Sequence, residues 1–211
     1  MRGGHRKRGF TLVELLVGLM VTSIIMTAVA TLAHGLGRLN DSSSDSSYKQ
    51  AQLRFTTVRL SELLRNCKLL CGMPGGDLAI WRGDDNSDDQ MNIDELVYIE
   101  AGPGRDYLRF CKFSSVAKPV INLTDIRVLT SNWWSAYGAT EQYVSLIPQC
   151  SNVTFGFNEP GKPVPQRRFV SVSFDVVEDG AVRHYQVNAV VRGWAGNLLN
   201  ASGDAIVSDD D

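Results

Sequence analysis

The sequence predicts an α+β fold: a long N-terminal helix packed on an antiparallel β-sheet. Three observations carry this. Phe10 to Ala33 is an apolar run holding a single charge, Glu14. Leu53, Leu60, Leu64, Cys67 and Cys71 then recur at intervals of seven, four, three and four, the period of a helix face. From Leu78 onward the apolar residues follow the two-residue period of strands, most clearly in "FVSVSFDVV" and "VRHYQVNAVVR" near the C-terminus.

At 211 residues, 44% apolar and 21% charged with a net charge of -2, the chain suits one globular domain with accessories. Such a balance gives no reason to expect nucleic acid as a partner. Local charge says more. Arg2, Arg6, Lys7 and Arg8 form a basic leader over residues 1–9, and Asp209, Asp210 and Asp211 close the chain.

The first element, residues 10–36, is long enough for the roughly 20 apolar residues of a membrane-spanning helix. Basic residues before it and none directly after it place the N-terminus in the cytoplasm and the rest of the chain outside. A cleaved secretory signal is an alternative, with Ala28-Val29-Ala30 as the cleavage site, but the run is long for one and contains a carboxylate. A plain anchor leaves Glu14 unexplained too, because a carboxylate at membrane depth costs about 2.5–3.5 kcal/mol. The acid needs a partner.

"KRGFTLVELL" resembles the processing signal of type IV pilins and the related pseudopilins of type II secretion: a short basic leader, a glycine, a phenylalanine, and a glutamate fifth after the glycine. The resemblance implies that a prepilin peptidase cuts between Gly9 and Phe10 and that Phe10 becomes N-methylated. It also implies that Glu14 pairs with the terminal ammonium of a neighbouring subunit. A bacterial inner-membrane location follows, with a single pass, the C-terminal domain in the periplasm, and other pilin-like subunits as partners. The order of elements is similar to that of the larger minor pseudopilins, the J type in particular, which implies a tip or initiation role in protein secretion. The alternative is a stand-alone membrane-anchored module that binds calcium or another ligand.

Residues 37–72 form the second element. "HGLGRLNDSSSDSSYKQ" is poor in helix formers, with two glycines and five serines, so the helix is expected to be locally soft there. The leucine stripe then packs on the sheet, and Gly72 and Pro74 are expected to end the helix. Residues 73–196 form the β-rich domain. "LAIWR", "ELVYIEA" and "DYLRFCKF" read as strands, the last two joined by the turn "GPGR". Between Asn122 and Tyr137 the pattern is ambiguous; Thr124 can cap a short helix through Ile126, Leu129 and Trp133. "SNVTFGF" and the two long strands follow, with Glu178-Asp179-Gly180 as the hairpin turn. Residues 197–211 read as a mobile acidic tail.

One loop suggests a ligand. "DDNSDDQMNIDE" spaces oxygens as a calcium loop does: Asp84, Asn86 and Asp88, the Gln90 carbonyl, Asn92 through water, and Glu95 as the bidentate twelfth residue. It departs from that pattern at Asp89, where the loop normally has glycine, and its flanks read as strands. Ca²⁺ is thus an expected but not required cofactor, and the resemblance adds that some pseudopilins bind it. The four cysteines, Cys67, Cys71, Cys111 and Cys150, would lie in an oxidising compartment and can pair as two disulfides in three ways that sequence does not separate, with Cys111–Cys150 the preferred bridge. His5, His34 and His184 form no cluster in the sequence, and no nucleophile elbow, phosphate loop or Cys-x-x-Cys pair is present. An enzyme is not expected. Trp133-Trp134 reads as buried aromatics before it reads as a ligand contact.

Overall fold

The computed structural model describes residues 11–178 and 180–207, with the backbone alone over residues 35–49. The chain divides into two compact units, Met1–Gln50 and Ala51–Asp211. Helix α1 runs Leu12–Asn66, so the serine- and glycine-rich stretch is helical despite its low propensity. In the first unit the described residues of this helix are all exposed.

In the second unit the helix ends six residues before the expected Gly72, at Asn66. Cys67 donates its amide to the Leu63 carbonyl at 3.0 Å, but the Lys68 amide goes to the Trp81 carbonyl at 2.8 Å. The chain has left the helical ladder for a sheet ladder. Strand β1 follows at Leu69–Gly72 and pairs antiparallel with β2, Leu78–Trp81. Leu70 joins one core while Leu69 and Cys71 join another, the alternation of a strand. The helical spacing through Cys67 and Cys71 thus runs on past the end of the helix.

β1 and β2 continue through β3, Leu96–Glu100, and β4, Leu108–Ser114, to β5, Thr140–Ile147, in one five-stranded antiparallel sheet. A separate three-stranded sheet holds β6, Ser151–Phe157, β7, Phe169–Glu178, and β8, Ala181–Val190. Two sheets therefore replace the single sheet expected. β7 and β8 pair from Phe169↔Val190 to Glu178↔Ala181, which leaves a two-residue turn. Gly180 sits there at φ 76°, a left-handed conformation that glycine adopts without strain; Asp179, the other expected turn residue, lies outside the described residues.

The first core lies between α1 and the two sheets. Leu53, Leu60 and Leu64 of the helix meet Leu78, Ile80, Val97, Ile99 and Phe110 of the larger sheet and Val170, Val172, Phe174, Val187 and Ala189 of the smaller. Thr56 is buried with them, its hydroxyl donating to the Leu146 carbonyl at 3.1 Å. A second core covers the opposite face of the five-stranded sheet, where Trp81, Tyr98, Cys111 and Phe113 pack under Ile121, Leu123, Leu129, Trp133 and Trp134. That covering segment forms three short 3₁₀ turns, Leu123–Asp125, Leu129–Ser131 and Trp133–Tyr137, instead of the short helix expected there. Its first turn is capped by Asn122, whose amide donates to Asp125 Oδ2 at 3.1 Å, and not by Thr124.

The tail is folded as far as it is described. Leu198 is buried in the second core with Leu199 and Ile206 packed beside it, and the Val207 amide donates to the Leu198 carbonyl at 2.6 Å. The Asn200 side chain closes the turn by accepting from the Asp204 amide at 3.0 Å. Apolar anchors thus hold a segment that composition alone marks as mobile.

Candidate assembly site

The N-terminal helix starts with a reciprocal pair of hydrogen bonds. The Glu14 amide donates to Thr11 Oγ1 at 3.3 Å, and Thr11 donates from both its amide and its hydroxyl to Glu14 Oε2, each at 3.0 Å. This is a capping box, and its signal is in the sequence as Thr-x-x-Glu. The glutamate therefore has a local partner that the anchor reading does not supply, and Thr11 is a site residue that carries no expectation from the sequence. The pair folds the carboxylate back toward the N-terminal end of the helix, where the macrodipole favours negative charge. Among the described residues Glu14 Oε1 accepts no hydrogen bond. Gly9 and Phe10, the expected processing pair, lie outside the described residues.

From Leu12 to His34 the helix spans 23 residues, enough by length and composition to cross a bilayer, and none of that span is buried. Its hydroxyls are satisfied within the helix. Thr22 donates to the Gly18 carbonyl at 2.9 Å, Thr27 to Ser23 at 2.8 Å and Thr31 to Thr27 at 2.8 Å. Such back-bonding removes the cost of carrying hydroxyls into hydrocarbon.

The acidic loop is turned in on itself. Asp84 Oδ1 accepts from the amides of Ser87 at 2.7 Å and Asp88 at 3.2 Å, and Oδ2 from Asp89 at 3.2 Å. Asp88 Oδ1 accepts from the Gln90 amide at 2.9 Å, and Oδ2 from the side chains of Asn86 at 2.6 Å and Asn92 at 3.4 Å. Asp89 takes a positive φ of 54° where glycine would serve a calcium loop. Glu95, expected as the bidentate ligand, is 1% exposed. Its Oε2 accepts from Trp81 Nε1 at 2.9 Å and from the Asn92 amide at 3.2 Å, and its Oε1 from the Asp85 amide at 2.6 Å. In this arrangement the expected ligand oxygens already accept from the loop's own donors, and among the described residues no group of three or more His, Cys, Asp or Glu is placed to hold a metal.

The expected Cys111–Cys150 bridge is not formed; all four cysteines are free thiols. Cys111 points into the second core while Cys150 packs against the first, so the five-stranded sheet separates them. Burial pushes the Cys67 and Cys111 thiols up to about 12 and half-buried Cys150 up to about 11.

Trp133 and Trp134 are buried, with ring centroids 6.3 Å apart, and Trp134 Nε1 donates to Glu141 Oε2 at 2.9 Å. His184 pairs through Nδ1 with Asp175 at 2.7 Å on the exposed face of the smaller sheet; no described nucleophile is bonded to it.

Two comparisons, with curated proteins and with solved structures, give no match. A third matches residues 4–30 to the prokaryotic N-terminal methylation motif, a stretch that takes in Arg6, Lys7 and Arg8 of the basic leader, Gly9, Phe10 and Glu14. With that motif opening a long apolar helix ahead of antiparallel sheets, the chain carries the signature of type IV pilins and pseudopilins.

Proposed function

We propose that the chain is a structural subunit of a type IV pilus-like or type II secretion pseudopilus assembly, a minor tip or initiation subunit serving protein secretion. A prepilin peptidase would cut between Gly9 and Phe10 and methylate Phe10. The helix from Phe10 would hold the protein in the bacterial inner membrane with its N-terminus cytoplasmic and the unit Ala51–Asp211 periplasmic. The observation that carries this reading is a 23-residue apolar helix with no part buried and one carboxylate near its start. Such a surface needs a cover. Lipid supplies it before assembly, and neighbouring helices supply it afterwards.

Glu14 gives the cover a register. Its Oε2 is held by Thr11, and Oε1 can receive the ammonium that cleavage creates on a neighbour. Two unit charges 4 Å apart attract by about 4 kcal/mol at an effective dielectric of 20. Desolvation cancels much of that gain, so the pair selects one stagger between helices more than it adds stability.

Mass spectrometry of the mature N-terminus tests the reading. An N-methylated Phe10 is the expected terminus; an intact Met1, or a terminus after Ala30, would overturn it. Glu14→Ala is expected to be processed normally yet to enter cross-linked subunit complexes poorly.

A further inference from the structure

The unit Ala51–Asp211 carries a groove of about 270 Å³ that no step above uses. One wall is a single face of α1: Arg59, Glu62, Leu63 and Asn66 follow the i, i+3, i+4, i+7 spacing that stacks side chains on one side of a helix. Facing it are Phe110 and Lys112, two apart on β4 and so on one face of the sheet, with Arg82 just beyond the end of β2.

The lining holds three cations and one carboxylate. Arg82 is already paired with Asp85. Arg59 sits over the Phe110 ring at 5.7 Å, and among the described residues neither Arg59 nor Lys112 forms an ion pair. Burial first, and then the charges of Arg59 and Arg82, hold the Lys112 ammonium below its ordinary value. Like charges turned toward one slot repel, and an incoming anion relieves that repulsion.

We propose that this groove receives a carboxylate side chain from an acidic peptide segment of a partner protein. Arg59 and Lys112 hold the carboxylate, Leu63 takes its methylene stem, and the buried Phe110 ring supports Arg59 from below. Asn66 offers both a donor and an acceptor to the peptide backbone, and Glu62 accepts a peptide N–H. Glu62 is also the reason to choose a peptide over a phosphate, because its charge opposes a dianion lodged in the same slot. The groove belongs to the second unit alone, so its test is independent of whether the N-terminal helix assembles.

The probe is a fluorescein-labelled tetra-aspartate peptide, titrated by anisotropy into the full chain in uncharged detergent. Saturable binding is expected, absent for tetra-asparagine, and weakened about fivefold or more by Arg59→Gln and by Lys112→Gln. Arg183→Gln, an equal charge change on β8, is expected to leave it unchanged. The Lys112→Gln chain should melt at or above the wild-type temperature, which shows that it is folded. No saturation at millimolar peptide would overturn the proposal, as would equal affinity in wild type and Lys112→Gln, or equal weakening by Arg183→Gln. Displacement of the peptide by equimolar inorganic phosphate, or by anionic phosphatidylglycerol vesicles, would overturn it in favour of a phosphate or a lipid surface.

Discussion

Thr11 and Glu14 form a helix cap that also aims a carboxylate. A capping box is worth about 1 kcal/mol to a helix start, and here it also presets the direction of the carboxylate. Thr11→Val keeps the shape and removes the hydroxyl, so it should cut incorporation into cross-linked complexes less than Glu14→Ala does, with processing unchanged. Equal loss in both variants would mean that the cap alone matters. Glu95 is the opposite case, a buried carboxylate that accepts from Trp81 and from the Asp85 and Asn92 amides. Replacing it by Gln turns an amide toward donors that need an acceptor, and the loss should be about 1–3 kcal/mol. Thermal melting checks this, and the drop should be the same in calcium and in chelator; a calcium-dependent rise in wild type that Glu95→Gln abolishes would restore the loop as an ion site. The cysteines give a third outcome. With the thiols raised by burial, iodoacetamide at pH 8 should label Cys150 first and leave Cys67, Cys71 and Cys111 unmodified until the chain unfolds.

At the scale of elements, the helix face that meets the sheet was legible because its leucines repeat with a period that only a helix satisfies. Leu60 and Leu64 are fully buried, and Leu60→Ala should lower stability by about 2–5 kcal/mol in urea unfolding. Where the helix stops was not legible. Cys67 and Cys71 continue the spacing by coincidence, and the Trp81 carbonyl ends the helix by taking the Lys68 amide from a different element. β5 is harder still to read. Thr140, Glu141, Gln142 and Tyr143 are exposed on an edge strand, and only Leu146 and Ile147 are buried, so the alternation that marks a half-buried strand is missing. The 3₁₀ turns over the second core have the same cause. Leu123, Leu129, Trp133 and Trp134 are buried one turn at a time against the sheet, without a repeat that would announce a helix.

For the whole molecule, both cores lie in the second unit and share the five-stranded sheet between them. A chain begun at Ala51 should therefore be soluble and unfold in one cooperative transition by circular dichroism and tryptophan fluorescence; two separated transitions would mean that the cores are independent. The membrane-length helix, the methylation motif at its start, the leucine stripe and the β7–β8 hairpin are all legible in the sequence. Each is written in neighbouring residues, as a period, a spacing or a turn, and local sterics and local hydrogen bonds read it directly. Long-range contacts set the division of the strands into two sheets, the cover on both faces of the larger one, and the placing of Cys111 and Cys150 on opposite sides of it. They also bring Glu95 to Trp81 and the loop amides and place Arg59, Arg82 and Lys112 around one groove. Those outcomes depend on which distant segments meet, and distance along the chain carries no record of it.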